Sequence, residues 1–517
     1  MNRRIFLASV MAAGHAGRSI ARGTGRDDTN DAAQQLLERL SQDPLRPQYH
    51  LLPRAGFVGD PCAPRFLDGA HHVFFHGSFG GRGWSHARSS DLIHWQHMPK
   101  ALIPSADSYD SYGTFTGSVL PGGPGASVIY TGVTKVSSAQ ETIRNEGLRE
   151  VQCIATTNDK DLRTWNKLDR PVIEAPPAAP SGSKVVGFRD PFSWQEGDTW
   201  YAGVGSGFEH IGGCVLLYRS KDARTWEYLH PVAQGQWNGQ IVSNPVGSGE
   251  MWECPDLFPL GDKHVLIYST EHKVVWHVGT LDKREMRFRS EHDGLIDRGA
   301  YYAPKSMLDE KGRRILWGWV QERRPDAEVR AAGWSGAISL PRVLSISPQG
   351  RLHMEVVPEL GSLRSQTVTV TGPQSADALA ARLREAVIRG RCAEIAWKFD
   401  SRQAGAGGID INLRTTGALV PLLSVRTQNR DGLRSAVVGD ETVPLSPGED
   451  GTSTIHIWID NSIIETFIDS ADVLTSRVYP SLTEEGHIET AWSGTAVGLQ
   501  ELTLSTIRPI SKDRLTS

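Results

Sequence analysis

The pattern Asp-x-x-x-Trp occurs three times at nearly constant spacing, and a chain built on such a repeat has few folds open to it. The copies run from Asp91 to Trp95, Asp161 to Trp165 and Asp222 to Trp226. Each follows an alternating or apolar stretch (GWSHARSS, VQCIATTN, CVLLYRSK), which reads as a strand, a Ser/Asp turn and a further strand opened by the Trp. A decayed fourth copy, HVGTLDKREMRF, carries Phe288 in the aromatic position; the aromatic positions lie 70, 61 and 62 residues apart. A unit of about 60 residues suits one propeller blade with long loops. FTGSVL at 115–120 opens a unit that ends near Trp165 with an insertion around 139–150, and YYAPKSM at 301–307 opens a last unit containing ILWGWV. The count predicts five blades across residues 45–350.

Three acidic residues stand upstream at a common distance. Asp60, followed by Pro61, lies 35 residues before Trp95; Asp190, followed by Pro191, lies 36 before Trp226; Glu253, in Glu-Cys-Pro, lies 35 before Phe288. Equivalent positions of propeller blades surround one axis, and the first strand of each blade is the innermost. The three acids are therefore expected at the same phase of their units, converging on one mouth of the central channel. A single Asp-Pro is an ordinary turn. Three in register, flanked by Phe57, Phe188 and Trp252, point to a site.

Beyond residue 350 the repeat stops. IHIWIDNSIIETFI at 455–468 reads as two strands round Asp460-Asn461, and LTSRVYP follows at 474–480. Period-two patterning of this kind predicts an antiparallel sandwich over 365–512, with a short amphipathic helix over 376–390. The fold class is thus all-β: a five-bladed β-propeller followed by a C-terminal β-sandwich. At the other end, Arg3 and Arg4 precede an apolar stretch, and Ser19-Ile20-Ala21 is a small-x-small site. Residues 1–21 read as an export signal of twin-arginine type, which predicts a secreted or periplasmic protein. Residues 22–44 read as a flexible lead-in.

Charge excludes several functions. With 55 Lys+Arg against 59 Asp+Glu the net charge is −4, which lacks the basic surplus of a nucleic-acid binder or a polybasic membrane anchor. Past the N-terminus no apolar run is long enough to span a bilayer. The five cysteines, Cys62, Cys153, Cys214, Cys254 and Cys392, are odd in number and widely spaced, which fits neither a disulfide framework nor a zinc motif; they read as buried small side chains. The histidines of the first unit, among them His72, His76 and His86, form no spaced ligand set, so no metal and no cofactor is expected.

Clustered carboxylates cannot all stay ionised, so one becomes a proton donor near neutrality. One carboxylate facing an anomeric carbon and one acid at the leaving oxygen is what glycoside cleavage needs. Arg189 beside Asp190 favours a carboxylate anion and offers a fork for sugar hydroxyls. The 15 tryptophans suggest stacking surfaces, with Trp84, Phe115, Trp252, Tyr302 and Trp319 as candidates, two or three of them in the site. The rival reading of three convergent acids is a hard-metal site, but the dense Asp/Asn loop spacing is missing.

At these residues the chain resembles glycoside hydrolase family 32, the invertase, inulinase and levanase group, over roughly 46–510. The matching motifs are FVGDPCA at 57–63, WSHARSSDLIHW at 84–95, FTGS at 115–118, FRDP at 188–191, WECPDLF at 252–258, YYAP at 301–304, WGW at 317–319, GWSGAISLPR at 333–342, and IHIWIDNSIIETF with TSRVYP. The resemblance implies a five-bladed propeller with a sandwich, and retention of anomeric configuration, with carboxyls about 5–5.5 Å apart. It implies Asp60 as nucleophile, Glu253 as general acid/base and Asp190 as transition-state stabiliser. Phe115, Ser118, Arg189 and Tyr302 are the implied fructose-subsite residues, and Trp84 joins them as a substrate-binding candidate through its stacking surface. The substrate implied is sucrose or a short fructan, and the family leaves room for a homodimer through the sandwich. One departure concerns the acceptor: Gly59 and Cys62-Ala63 replace the Asn and Asn-Gly that flank the usual Asp-Pro, as in a subgroup with transfer activity. The alternatives are a fructosyltransferase, a fructan exo-hydrolase and a non-catalytic carbohydrate-binding propeller. An arabinan-type furanosidase is disfavoured by the sandwich and the Glu-Cys-Pro motif.

Overall fold

The computed structural model describes residues 27–515, apart from 123–124, 373, 387, 389, 404 and 481–485. The leader read at 1–21 lies outside the described residues. Strands dominate throughout, with three α-helices among the described residues.

Residues 56–356 form five antiparallel sheets, each laid out in chain order from its first strand. The first sheet runs Gly56–Leu67, Ala70–Gly77, Trp84–Ser89 and Gln96–Leu102. The second begins at Gly113–Val119, the third at Val185–Glu196, the fourth at Glu253–Leu260 and the fifth at Tyr301–Leu308. Each of these first strands touches the first strand of the next sheet, and that of the fifth returns to that of the first. A late segment crosses this seam. Trp334–Ser335 pairs in parallel with Gly56 and Phe57, while Ala337–Ile338 pairs with Val320 and Trp319 of the fifth sheet.

The Asp-x-x-x-Trp repeat is the turn between the third and fourth strands of a sheet. Asp91 Oδ1 accepts from the backbone N–H groups of Ile93 and His94, and Asp222 Oδ1 does the same for Arg224 and Thr225. Such Asx turns explain why an acid opens the motif in these two copies, while in the other Asp159 takes the part, accepting from the Asp161 and Arg163 N–H groups. The next residue is left-handed in all three copies, at Leu92, Leu162 and Ala223.

A second repeated device sits at the opposite end of the sheets. Every first strand carries a β-bulge at which four residues face three on the neighbouring strand: Val58 to Pro61, Thr114 to Gly117, Arg189 to Phe192, Glu253 to Asp256 and Tyr302 to Lys305. Pro191, Pro255 and Pro304 occupy the third position of their bulges, where a missing N–H removes no ladder bond. The residue before each of them, Asp190, Cys254 or Ala303, has φ between 48° and 61°. Bulges redirect side chains at sheet edges, and here they redirect the residues of the candidate site. Close sheet packing serves the same end: a Cβ at Gly207 would stand 1.6 Å from the Glu250 carbonyl oxygen, so only glycine allows the third sheet to approach the segment leading to Glu253.

The C-terminal part is two packed sheets, one of six and one of five strands. The hairpin read from IHIWIDNSIIETFI is present as Thr452–Asp460 and Ile463–Ile468, with Asn461 left-handed in the turn. The helix expected over 376–390 spans Ala376–Glu385, capped by Ser375, whose side chain accepts from the Ala378 N–H. The lead-in read as flexible contains a helix, Asp27–Gln42. Its Leu36, Leu37 and Leu40 pack with Leu52, Val320 and Trp334, so an apolar stripe overrides an otherwise polar composition.

The hairpin also joins the sandwich to the sheets. Asp460 accepts the backbone N–H groups of Gln48, Tyr49 and His50, together with His50 Nδ1 at 2.8 Å. Glu465 binds His50 Nε2 at 3.0 Å and Arg342 Nη2 at 2.7 Å, and Arg342 reaches Asp297 at 2.9 Å. These four charged side chains and the imidazole are buried completely.

Candidate active site

A pocket opens where the five bulges meet, and every first strand contributes to its wall: Asp60, Thr116, Asp190, Glu253 and Tyr302 all line it. The three acids read from the sequence converge there. They do not share one phase, however. Aligned on the bulge, Glu253 holds the first position, Asp190 the second and Asp60 the third. The proline spacing hid this offset, because Pro61 sits one place later in its bulge than Pro191 or Pro255.

Hydrogen bonds then run between neighbouring sheets at matched positions. At the first position, Arg189 donates to Glu253 Oε1 from Nη2 (2.6 Å) and Nε (3.2 Å), while the Tyr302 hydroxyl donates to Oε2 at 2.8 Å. At the second, the Cys254 N–H donates to Asp190 Oδ2 at 3.0 Å and its thiol lies 3.5 Å from the same oxygen. At the third, Thr116 Oγ1 donates to Asp60 Oδ2 at 2.8 Å. The Cys254 thiol, 3.8 Å from Asp60 Oδ2, links the second and third layers. Each acid is thus held by partners from an adjacent sheet and differs in its donors, which is how similar carboxyls acquire different roles.

Arg189 is completely buried. Burial alone would lower its pKa, but Glu150, Glu253 and Asp190 outweigh that and raise it, so it is a permanent cation. Glu150 Oε1 lies 3.3 Å from Arg189 Nη1, and Glu150 Oε2 accepts the Phe188 N–H at 2.6 Å. Burial, then the facing Asp190 and Asp60, push the Cys254 thiol up, so it stays protonated and can only donate to those carboxylates. The Asp190 N–H donates to Thr131 Oγ1, and Lys305 Nζ donates to the Pro255 carbonyl, fixing the bulges themselves.

Of the five aromatic candidates, Phe115, Tyr302 and Trp319 line the pocket. Trp84 does not: it is 1% exposed, packs with Phe74 and Tyr130, and donates from Nε1 to the Phe115 carbonyl at 3.1 Å. It supports a wall residue from behind. Trp252 is stacked on Tyr268 at 3.7 Å between ring centroids. Ser118 also lies off the pocket wall, with its hydroxyl turned to the Val119 carbonyl. At Gly59 the ring of Phe57 takes the space a side chain would fill, 2.9 Å from the Cβ position.

Several wall residues carried no signal in the sequence. His76 Nδ1 lies 3.9 Å from Asp60 Oδ2, and Thr116 became visible only through its partner, as did Glu150, which is buried off the wall against Arg189. Glu322 lines the far rim with Gln321 and Arg323. Burial pushes the Glu322 carboxyl up, but hydrogen bonds from Arg324, the charges of Arg477 and Arg324, and the Tyr479 hydroxyl carry it down to about 2. All five cysteines are free and buried. Among the described residues no group of three or more His, Cys, Asp or Glu is placed to hold a metal ion, and no helix is long and apolar enough to cross a membrane.

Comparison with known proteins places this geometry. Residues 50–355 match the glycosyl hydrolases family 32 N-terminal domain, and 359–506 match the family 32 C terminal domain. A sucrose-6-phosphate hydrolase of Escherichia coli is 30% identical over 478 residues, covering 87% of this chain and 93% of that protein. A raffinose invertase of Escherichia coli is 30% identical over 480 residues, with the same coverage. Among solved structures, fructan 1-exohydrolase IIa from Cichorium intybus in complex with 1-kestose aligns with a TM-score of 0.74 at 23% identity, over 90% of this chain and 98% of that one. A β-fructofuranosidase of Bombyx mori aligns with a TM-score of 0.70 at 24% identity, over 93% and 99%. Two family models that between them run from residue 50 to 506, with the acids of both Asp-Pro motifs and of Glu-Cys-Pro gathered in one pocket, make this chain a member of glycoside hydrolase family 32.

Proposed function

We propose that the protein is a retaining β-fructofuranosidase that releases the terminal fructosyl unit of sucrose or a short fructan. The observation that carries this reading is the layered arrangement of the pocket, in which Asp60, Asp190 and Glu253 are held by different donors and one thiol stands between Asp60 and Asp190. Asp60 attacks the anomeric carbon and forms a covalent fructosyl-enzyme, while Glu253 protonates the leaving oxygen. Glu253 then takes a proton from water, and the hydroxide equivalent displaces Asp60. Asp190 binds fructose hydroxyls, and Phe115, Tyr302 and Trp319 shape the subsite. The five sheets, whose first strands follow one another in a closed cycle, are read as a five-bladed propeller over 45–350 with the sandwich over 365–512.

The names of the relatives support sucrose-type substrates. The test is product chromatography on sucrose, raffinose, inulin and levan with wild type and Asp60→Asn. Wild type releases fructose, and the substitution lowers kcat at least about a thousandfold. Unchanged turnover by the variant refutes the nucleophile assignment.

A second reading, transfer to a sugar acceptor, is favoured by one observation: position 59 carries no side-chain amide beside Asp60, and the Phe57 ring fills the space a side chain there would take. Kestose-type products exceeding free fructose at high sucrose would establish it.

A further inference from the structure

We propose that Tyr479, a residue of the C-terminal sandwich, is a positioning residue for the substrate pocket, acting through Glu322. The inference rests on the fructosidase reading and concerns how that site holds its substrate.

Glu322 follows the strand Arg314–Val320 of the fifth sheet and lines the pocket with Gln321 and Arg323. A pocket-facing carboxylate recognises sugar hydroxyls only if its oxygens point in fixed directions. Glu322 is 3% exposed and is gripped from several sides. Oε1 accepts from the backbone N–H groups of Arg323 and Arg324 at 2.9 and 3.0 Å, and from Arg324 Nε at 3.1 Å. Oε2 accepts from Arg324 Nη2 at 2.8 Å. The Tyr479 hydroxyl donates to Oε1 and also accepts the Arg323 N–H at 3.3 Å. One hydroxyl therefore fixes both the carboxylate and the backbone of the neighbouring wall residue.

Tyr479 is itself held as part of the sandwich. It follows the strand Asp472–Arg477, and the Arg477 guanidinium lies 5.1 Å from the Tyr479 ring centroid and 3.7 Å from Glu322 Oε2. Arg324 lies over both the Trp334 ring, at 4.3 Å, and the Tyr479 ring, at 5.3 Å. Trp334 belongs to the segment that pairs with the strand bearing Asp60. The sandwich thus reaches the pocket rim through the Tyr479 hydroxyl and the Arg477 guanidinium, of which the hydroxyl alone also holds the Arg323 N–H, and that rim is continuous with the strand carrying the proposed nucleophile.

The two arginines already neutralise Glu322, so loss of the hydroxyl leaves the charge paired and removes only the orientation. The test is Tyr479→Phe, which keeps the ring that both arginines face, measured beside Glu322→Gln and the double variant on sucrose, with Tm recorded for each. The expected result is a KM raised about five- to tenfold in Tyr479→Phe with kcat within about twofold, a similar shift in Glu322→Gln, and no further rise in the double variant, because coupled residues are not additive. A role confined to holding the sandwich in place would lower Tm and leave KM unmoved. Wild type that turns over sucrose while Tyr479→Phe keeps the wild-type KM overturns this inference alone, and so does an additive double variant. Wild type that releases no fructose overturns the fructosidase reading and the inference with it. If Glu322→Gln does not fold, the KM of Tyr479→Phe decides.

Discussion

Arg189 donates two hydrogen bonds to a single oxygen of Glu253, while Tyr302 donates to the other. The carboxyl proposed to deliver the proton is thereby held beside a permanent cation, which favours its anionic form. The pairing fixes the direction in which the Glu253 carboxyl points. In Arg189→Lys the charge stays but the fork is lost. We expect kcat/KM to fall about 10- to 100-fold, equivalent to ~1.5–3 kcal/mol for a hydrogen bond to a charged group. The sign of the pH effect follows: a less stabilised anion means a higher pKa, so the alkaline limb of the kcat/KM profile moves to higher pH. An alkaline limb that stays in place or moves down refutes the link.

Thr116 makes the corresponding contact to Asp60. Thr116→Val keeps the shape and removes the donor, so the Asp60 anion loses stabilisation and its pKa rises. The acid limb of the profile should move to higher pH, with kcat lowered about tenfold. Pre-steady-state release of the leaving sugar is the measurement that isolates this step; an unaltered burst rate would remove Thr116 from the account.

Trp84 should act on stability and not on binding. Its ring is packed in the core, and Trp84→Phe leaves a small cavity and removes the hydrogen bond to the Phe115 carbonyl. A loss of about 1–3 kcal/mol in denaturant titration is expected, with KM for sucrose within about twofold of wild type. A large KM effect with unchanged stability would return Trp84 to the subsite.

The joint between sandwich and sheets predicts a stability profile with two edges. Burial alone would lower the His50 pKa, but hydrogen bonds to Asp460 and Glu465 raise it above 6.5. Its contribution is complete below pH 6.5 and is lost as pH rises through the raised value. Burial pushes Glu465 up, yet Arg342 and His50 bring it from 4.5 down to about 2, so its contribution is present above pH 4.5 and lost as pH falls toward 2. Thermal unfolding across pH should therefore weaken at both ends. His50→Gln should flatten the alkaline edge at a cost of about 3–5 kcal/mol, the range for breaking a buried pair. An alkaline edge that survives in His50→Gln assigns it elsewhere.

The sequence made the strands and the meeting of the acids readable because both depend on local signals: an Asx turn before a Trp, and a proline that tolerates a bulge. It did not reveal which bulge position each acid takes, since Asp60-Pro61 and Asp190-Pro191 look alike as dipeptides yet sit one place apart in the ladder. The roles of Thr116, Glu150 and Tyr479 were hidden for a different reason, although Thr116 and Tyr479 lie within FTGS and TSRVYP. Each acts across 39 to 157 residues of chain, and no local pattern marks a side chain whose only role is to hold another. Trp84 and Phe115 are both aromatic residues within family motifs, and only packing assigns one to the core and the other to the wall. The helix Asp27–Gln42 was obscured because its apolar stripe is narrow and its partner, Trp334, comes some 300 residues later.

That distance has a counterpart in time. Trp334 and Ser335 complete the edge of a strand that begins at Gly56, so the first sheet is finished by nearly the last residues of its own domain. At ordinary synthesis rates of about 5–20 residues per second, the strand bearing Asp60 waits roughly 15 to 55 seconds on the ribosome with its edge open at Gly56 and Phe57. An open edge is a template for another chain. Premature termination before residue 334 should therefore yield aggregates and no smaller active enzyme, and helpers that cover exposed strands matter most for this protein during its own manufacture.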